Sequence, residues 1–85
     1  MKKIYHYKVV TKVQNGLGIL ARITIMLRKF NVNIQSLHVT PLDDNNNFYN
    51  LYWMLDSTKD PKEFSVVAKK LERLIPILKV KFESV

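Results

Sequence analysis

The chain has no cysteine, and among its 85 residues it has only two glycines, three prolines and one tryptophan. The missing thiols exclude disulfides, thiolate nucleophiles and cysteine-based metal sites, and they suit a reducing cytoplasm. No apolar run is long enough to span a bilayer. Lys2 and Lys3 resemble the charged start of a signal peptide, but His6, Lys8 and Lys12 interrupt any apolar stretch behind them. A soluble, cytoplasmic protein is expected, with one domain over residues 1–85. Acidic residues are also scarce, 7 against 14 lysines and arginines, for a net charge of +7. That excess permits nucleic acid, an anionic membrane surface or an acidic protein as partner, and does not choose among them. Enzyme chemistry is poorly supplied. No serine sits in a nucleophile elbow, and Asp43, Asp44 and Asp56 fall in expected turn regions with no base nearby.

The two glycines stand together in Asn15-Gly16-Leu17-Gly18-Ile19-Leu20, where an alternating pattern gives way to a helical one. This placement predicts a shaped loop beneath a helix N-terminus, with glycine supplying positive φ or room for a small polar or anionic group. Before it, Tyr5, Tyr7, Val9, Thr11 and Val13 share one face of a strand, and His6, Lys8, Val10 and Lys12 the other. After it, Leu20, Ile23, Leu27 and Phe30 recur at helical spacing, with Asn31 and Asn33 as stop signals.

From Asn33 to Leu42 the alternation returns, setting Ile34, Ser36, His38 and Thr40 opposite Gln35, Leu37, Val39 and Pro41. Pro41 places this strand at a sheet edge or near its own end. Asp43 to Asn47 are turn-formers, and Phe48 to Leu55 completes a hairpin with Tyr49, Leu51, Trp53 and Leu55 on one face. Asp60 is a candidate N-cap, Pro61 suits the first helical position, and Glu63 can return the capping contact. Phe64, Val67, Ala68, Leu71 and Leu74 form the apolar stripe of this second helix, which Pro76 ends. A last strand sets Leu78, Val80 and Phe82 against Ile77, Lys79 and Lys81.

The order β-α-β-β-α-β predicts an α+β, ferredoxin-like fold: a four-stranded antiparallel sheet with both helices on one face. Right-handed crossovers put the first and third strands at the centre, with the fourth beside the first. Lys8, Lys12, Lys79 and Lys81 then gather on the face away from the helices, either as a solvated surface or as a site for an anion or acidic partner. His6 and His38 lack companions at metal-ligand spacing and are read as structural or surface residues. Trp53 is read as core.

At this point a family resemblance is visible. Asn15-Gly16-Leu17-Gly18-Ile19-Leu20-Ala21-Arg22-Ile23 resembles the N-x-x-G-[VIA]-L-x-R-[VI] opening of the ACT domain, a small regulatory fold that binds amino acids. Asn31-Val32-Asn33-Ile34-Gln35-Ser36-Leu37-His38-Val39 is similar to the F/Y-N-I-E-S-L-x-V segment of the regulatory (small) subunit of acetolactate synthase, and Thr40 to Asp44 and Leu74 to Val80 keep to that pattern. The resemblance implies a non-catalytic subunit of the short form, a homodimer pairing through its second strands, and an effector held between one chain's first loop and the partner's second strand. Asn15 would bind the effector's polar end and Gly18 would let backbone approach it. Ile19 and Leu20 would offer amides to its carboxylate, while Asn33 and Ile34 would line it from the second strand. The implied effector is valine, leucine or isoleucine. The implied partner is the acetolactate synthase catalytic subunit, which would carry thiamine diphosphate; this chain itself would hold no cofactor and no metal. Gly16 and Leu17 depart from the usual residues of that loop, and Gln35 stands where glutamate is typical. Two alternatives belong beside this reading: a free-standing amino-acid sensor for another partner, and a single-stranded RNA-binding domain. The second is disfavoured because Asn47 to Trp53 has aromatics but no glycine and no leading basic residue.

Overall fold

The computed structural model describes the backbone of residues 3–14, 16–42, 48–74 and 77–84, and the side chains of these apart from 16, 17, 74 and 77–80. Six elements follow in order: β1 (Tyr5–Gln14), α1 (Gly16–Lys29), β2 (Asn33–Pro41), β3 (Phe48–Ser57), α2 (Pro61–Leu74) and β4 (Ile77–Ser84). The strands form one antiparallel sheet in the order β2-β3-β1-β4, with β1 and β3 central as the crossover rule requires.

Alternation along β1 and β3 builds the core. Tyr7, Val9, Thr11 and Val13 from β1 and Leu51, Trp53 and Leu55 from β3 are buried under Ile23 and Leu27 of α1 and Phe64, Val67 and Leu71 of α2. Tyr7 stacks on Phe64 with centroids 4.0 Å apart, and Phe82 of β4 meets both rings edge-on, so β1, α2 and β4 share one aromatic cluster. The buried polar side-chain atoms of the described residues are satisfied. Trp53 Nε1 donates to Thr11 Oγ1 at 3.1 Å, and Tyr7 Oη donates to the Lys59 carbonyl at 2.6 Å.

Helix ends follow the signals in the sequence. Asp60 Oδ1 accepts from the Glu63 amide at 2.8 Å, and the Asp60 amide donates back to Glu63 Oε1 at 3.4 Å, the reciprocal capping box. At the end of α1, Asn31 has φ 59°, the left-handed conformation that asparagine tolerates. The Val32 amide donates to Leu27 O and the Asn31 amide to Arg28 O, which together make a Schellman motif. Beyond β2, the Leu42 amide donates to Phe48 O and closes the hairpin. The expected turn itself, Asp43 to Asn47, lies outside the described residues, as do Asn15, Ile75 and Pro76.

Two expectations need correction. The glycines do not form a loop beneath α1: the helix begins at Gly16, Gly18 lies in its first turn, and no glycine among the described residues has positive φ. Nor does β2 alternate regularly. Ile34 pairs with Leu55 and Ser36 with Met54, so Gln35 is an extra residue, a bulge that resets the pleat. Ile34 therefore shares the helix side with Leu37, Val39 and Pro41, whereas Ser36, His38 and Thr40 face away. A second irregularity sits in β4, where Lys12 pairs with Lys79 but Val13 with Ile77.

Candidate functional site

The anticipated effector residues separate into two groups at opposite ends of the sheet. Gly18, Ile19 and Leu20 follow the C-terminal end of β1, whereas Asn33 pairs with Asp56, which pairs in turn with His6 at the start of β1. The eight steps from His6 to Gln14 span about 26 Å of extended chain, so one protomer cannot close both groups on one small molecule. Asn15 lies outside the described residues.

Gly18 is exposed, and a Cβ built on it would meet nothing within 4 Å. The backbone there is open to a neighbour. With α1 starting at Gly16, the amides of Gly16, Leu17 and Gly18 lie ahead of the i to i−4 ladder, and the Leu20 amide falls within it. Ile19 and Leu20 are half-buried and pack against the core, so their side chains anchor the first turn. No acidic residue occupies that turn, while Arg28 and Lys29 close the helix at the other end. In contrast to α2, whose N-terminus is engaged by Asp60 and Glu63, this positive helix end has no carboxylate of its own in the first turn.

At the other group, Asn33 is exposed and Ile34 is half-buried against the core. Sequence spacing gave no hint of the network beside them. Asp56 lies within β3, not in a turn, and a basic group does stand near it: His6 Nδ1 approaches Asp56 Oδ1 at 2.6 Å, and Gln35 Nε2 donates to Asp56 Oδ2 at 2.5 Å. Because an ionised carboxylate only accepts, Nδ1 carries the proton of the first contact. Fifty residues separate His6 from Asp56, and only the strand register brings them together. This pair also explains the glutamine at position 35. A glutamate there would set a second negative charge against Asp56, whereas the amide donates to it.

The β2 edge is the other notable surface. Its segment Asn33–Pro41 contains no lysine, arginine or carboxylate, while β4, at the opposite edge, carries Lys79, Lys81 and Glu83. On the helix side of β2, Val39 is 51% exposed although it pairs with fully buried Leu51, and Ile25 on the outer face of α1 is 55% exposed. Gly18, Ala21 and Ile25 share that outer face.

On the open face of the sheet, Lys8, Lys12 and Lys81 are all exposed, as expected, and Lys79 pairs with Lys12. Trp53 is turned into the core, leaving Tyr52 on the open side. His38 is a surface residue. No three His, Asp or Glu side chains among the described residues cluster as metal ligands, and no described helix is long and apolar enough to cross a membrane.

No protein-family model and no curated protein sequence matches the chain. Solved structures do. The C-terminal domain of the MgtC protein from Mycobacterium tuberculosis superposes with a TM-score of 0.76 at 15% identity, covering 100% of this chain and 92% of that one. The ACT domain from GTP pyrophosphokinase of Chlorobium tepidum gives 0.73 at 16% identity, with 95% and 100% covered. An ACT domain protein from Streptococcus pneumoniae gives 0.72 at 14% identity, with 94% and 89% covered. Four antiparallel strands in the order β2-β3-β1-β4 with two helices on one face, together with these superpositions, give the chain the ferredoxin-like α+β fold that ACT domains have.

Proposed function

We propose that the protein is a non-catalytic, amino-acid-sensing ACT regulator that works as a homodimer in the cytoplasm. The observation that carries this reading is a β2 edge strand without charged residues, on which Val39 is 51% exposed although it pairs with buried Leu51. Edges of this kind pair with other strands unless charge or cover prevents it. A second copy is the natural occupant, because a twofold pairing of β2 with its counterpart runs the two strands antiparallel. That reversal carries the partner's strand start toward the end of the sheet where Gly18 lies. The two groups of effector residues, too far apart in one protomer, then approach each other across the interface.

Such a site has the parts that a branched-chain amino acid requires. The first-turn amides of α1 and its dipole suit a carboxylate, the Asn15 and Asn33 side chains would offer acceptors for the ammonium group, and Ile34 offers an apolar wall. The sequence motifs favour the regulatory subunit of acetolactate synthase, so the partner is that enzyme's thiamine-diphosphate-dependent catalytic subunit, activated by the dimer and feedback-inhibited through it. An effector controls that partner only to the extent that it prefers one packing of the dimer over another. A free-standing sensor acting on a different enzyme uses the same site and differs only in its partner.

Isothermal titration with valine, leucine and isoleucine tests the reading. Saturable heat from at least one of them, weakened in a folded Asn15→Ala variant, is the expected result. No amino-acid heat, with salt-sensitive tRNA binding in its place, would overturn it.

A further inference from the structure

The open face of the sheet carries a groove of about 550 Å³ that the amino-acid reading does not use. Strand register explains its form. His38, Tyr52, Val10 and Lys81 occupy one cross-strand row that runs over β2, β3, β1 and β4. With strands about 4.8 Å apart, this row is about 14 Å long, the length of a two- or three-ring molecule. Val10 and Met54 form an apolar floor and Tyr52 is 42% exposed, so the ring is available as a platform.

Charge is concentrated around Val10. Lys8 and Lys12 flank it two residues away on the same strand face, and Lys81 is its direct partner on β4. Lys8 and Lys81 line the main groove, while Lys12 and Lys81 line a smaller depression of about 280 Å³ that shares Val10 with it. Among the described residues no carboxylate forms an ion pair with any of the three lysines. Glu83, across from Lys8, is the single acid of the lining. Three cations around one apolar residue form a focus for negative charge, and the floor beside them is suited to a flat body.

We infer that this groove binds a small anionic amphiphile, a molecule with one carboxylate, sulfonate or phosphate group and a flat aromatic or branched apolar body. The anionic group sits above Val10 between Lys8, Lys12 and Lys81, and the body lies along Tyr52 and Met54. Among the described residues Tyr52 is the one aromatic of this face that is exposed, with Phe48 half-buried four residues away on the same strand face, and one exposed ring suits one stacked body rather than the succession of stacked bases that a nucleic-acid strand presents. The site is separate from the α1 and β2 surfaces proposed for the amino acid.

The test uses 1-anilinonaphthalene-8-sulfonate, with neutral N-phenyl-1-naphthylamine as the uncharged control, on the full chain. Expected are saturable fluorescence at one site per chain, much weaker binding of the neutral dye, and amide NMR shifts centred on Val10, Tyr52 and Met54. The exposed double substitution Lys8→Gln/Lys81→Gln should weaken sulfonate binding about tenfold while circular dichroism stays unchanged. Excess valine should not displace the dye, whether or not valine binds elsewhere. Absence of saturable binding, equal affinity for the neutral dye, or shifts centred away from Val10 would overturn the inference. So would displacement of the dye by oligouridylate at lower concentration than by 2-naphthoate, which would assign the face to single-stranded RNA.

Discussion

Thr11 and Trp53 show how one buried polar contact is held in an otherwise apolar layer. Thr11 is fully buried, and its hydroxyl accepts the indole N–H. Thr11→Val keeps the shape but orphans the donor, so chemical denaturation should show a loss of about 1–3 kcal/mol. Tyr7 illustrates a different cost. Burial, with the nearby Asp60 charge adding to it, raises the pKa of its hydroxyl above 10.0, because the ionised phenolate would lose water and face a carboxylate. A folded-state pKa above the unfolded one means that the native state holds its proton more tightly. The associated stability is present in full below pH 10 and is lost as pH rises through the folded value. The denaturation midpoint should fall in that alkaline range, and Tyr7→Phe should flatten the fall. At this scale the sequence was a good guide to burial, since alternation put Tyr5, Tyr7, Val9, Thr11 and Val13 on one face of β1, and all of these but the half-buried Tyr5 are buried. It could not show the His6–Asp56 contact, because that pairing is created by register between β1 and β3 and leaves no trace in local spacing.

Among the elements, α2 was the most legible, because Asp60, Pro61 and Glu63 spell out its N-terminus and the structure forms the reciprocal hydrogen bonds. The C-terminus of α1 was nearly as clear. Asn31 takes the left-handed conformation there, and Asn31→Ala should cost about 1 kcal/mol in thermal or chemical unfolding, whereas Asn31→Gly should be neutral or stabilising. The helix start was less legible. Glycine suggests a loop by its low helix propensity, but in the first turn that penalty is small compared with packing Ile19 and Leu20 against the core. The β2 bulge was not legible at all. Asn33 to Thr40 fits strict alternation as well as an interrupted one, and only the need to place both Ile34 and Leu37 on the core side selects the interruption at Gln35. A glutamate at 35 would face Asp56, so Gln35→Glu should lower stability by about 0.5 kcal/mol at neutral pH and recover when the carboxylates are protonated, as read by urea titration at two pH values.

For the whole molecule, the sheet order and the helix layer followed from element order and crossover handedness, and the superpositions on ACT domains agree with that architecture. The candidate site was only half legible, for a geometric reason: its two groups of residues stand at opposite ends of one sheet, so no single chain can display the assembled site. A site that joins the two groups therefore needs a second copy of the chain. Val39→Lys places a charge at an exposed apolar position of the β2 edge strand and should leave a folded monomer in sedimentation velocity. The most direct measurement of the central claim is sedimentation equilibrium of the unmodified protein at increasing valine concentration. If the effector site is shared between two copies, valine binds the dimer in preference to the monomer, and the dimer dissociation constant must fall as valine rises. A chain that stays monomeric at all concentrations, or a dimer whose dissociation constant does not change with valine, leucine or isoleucine, would contradict the account.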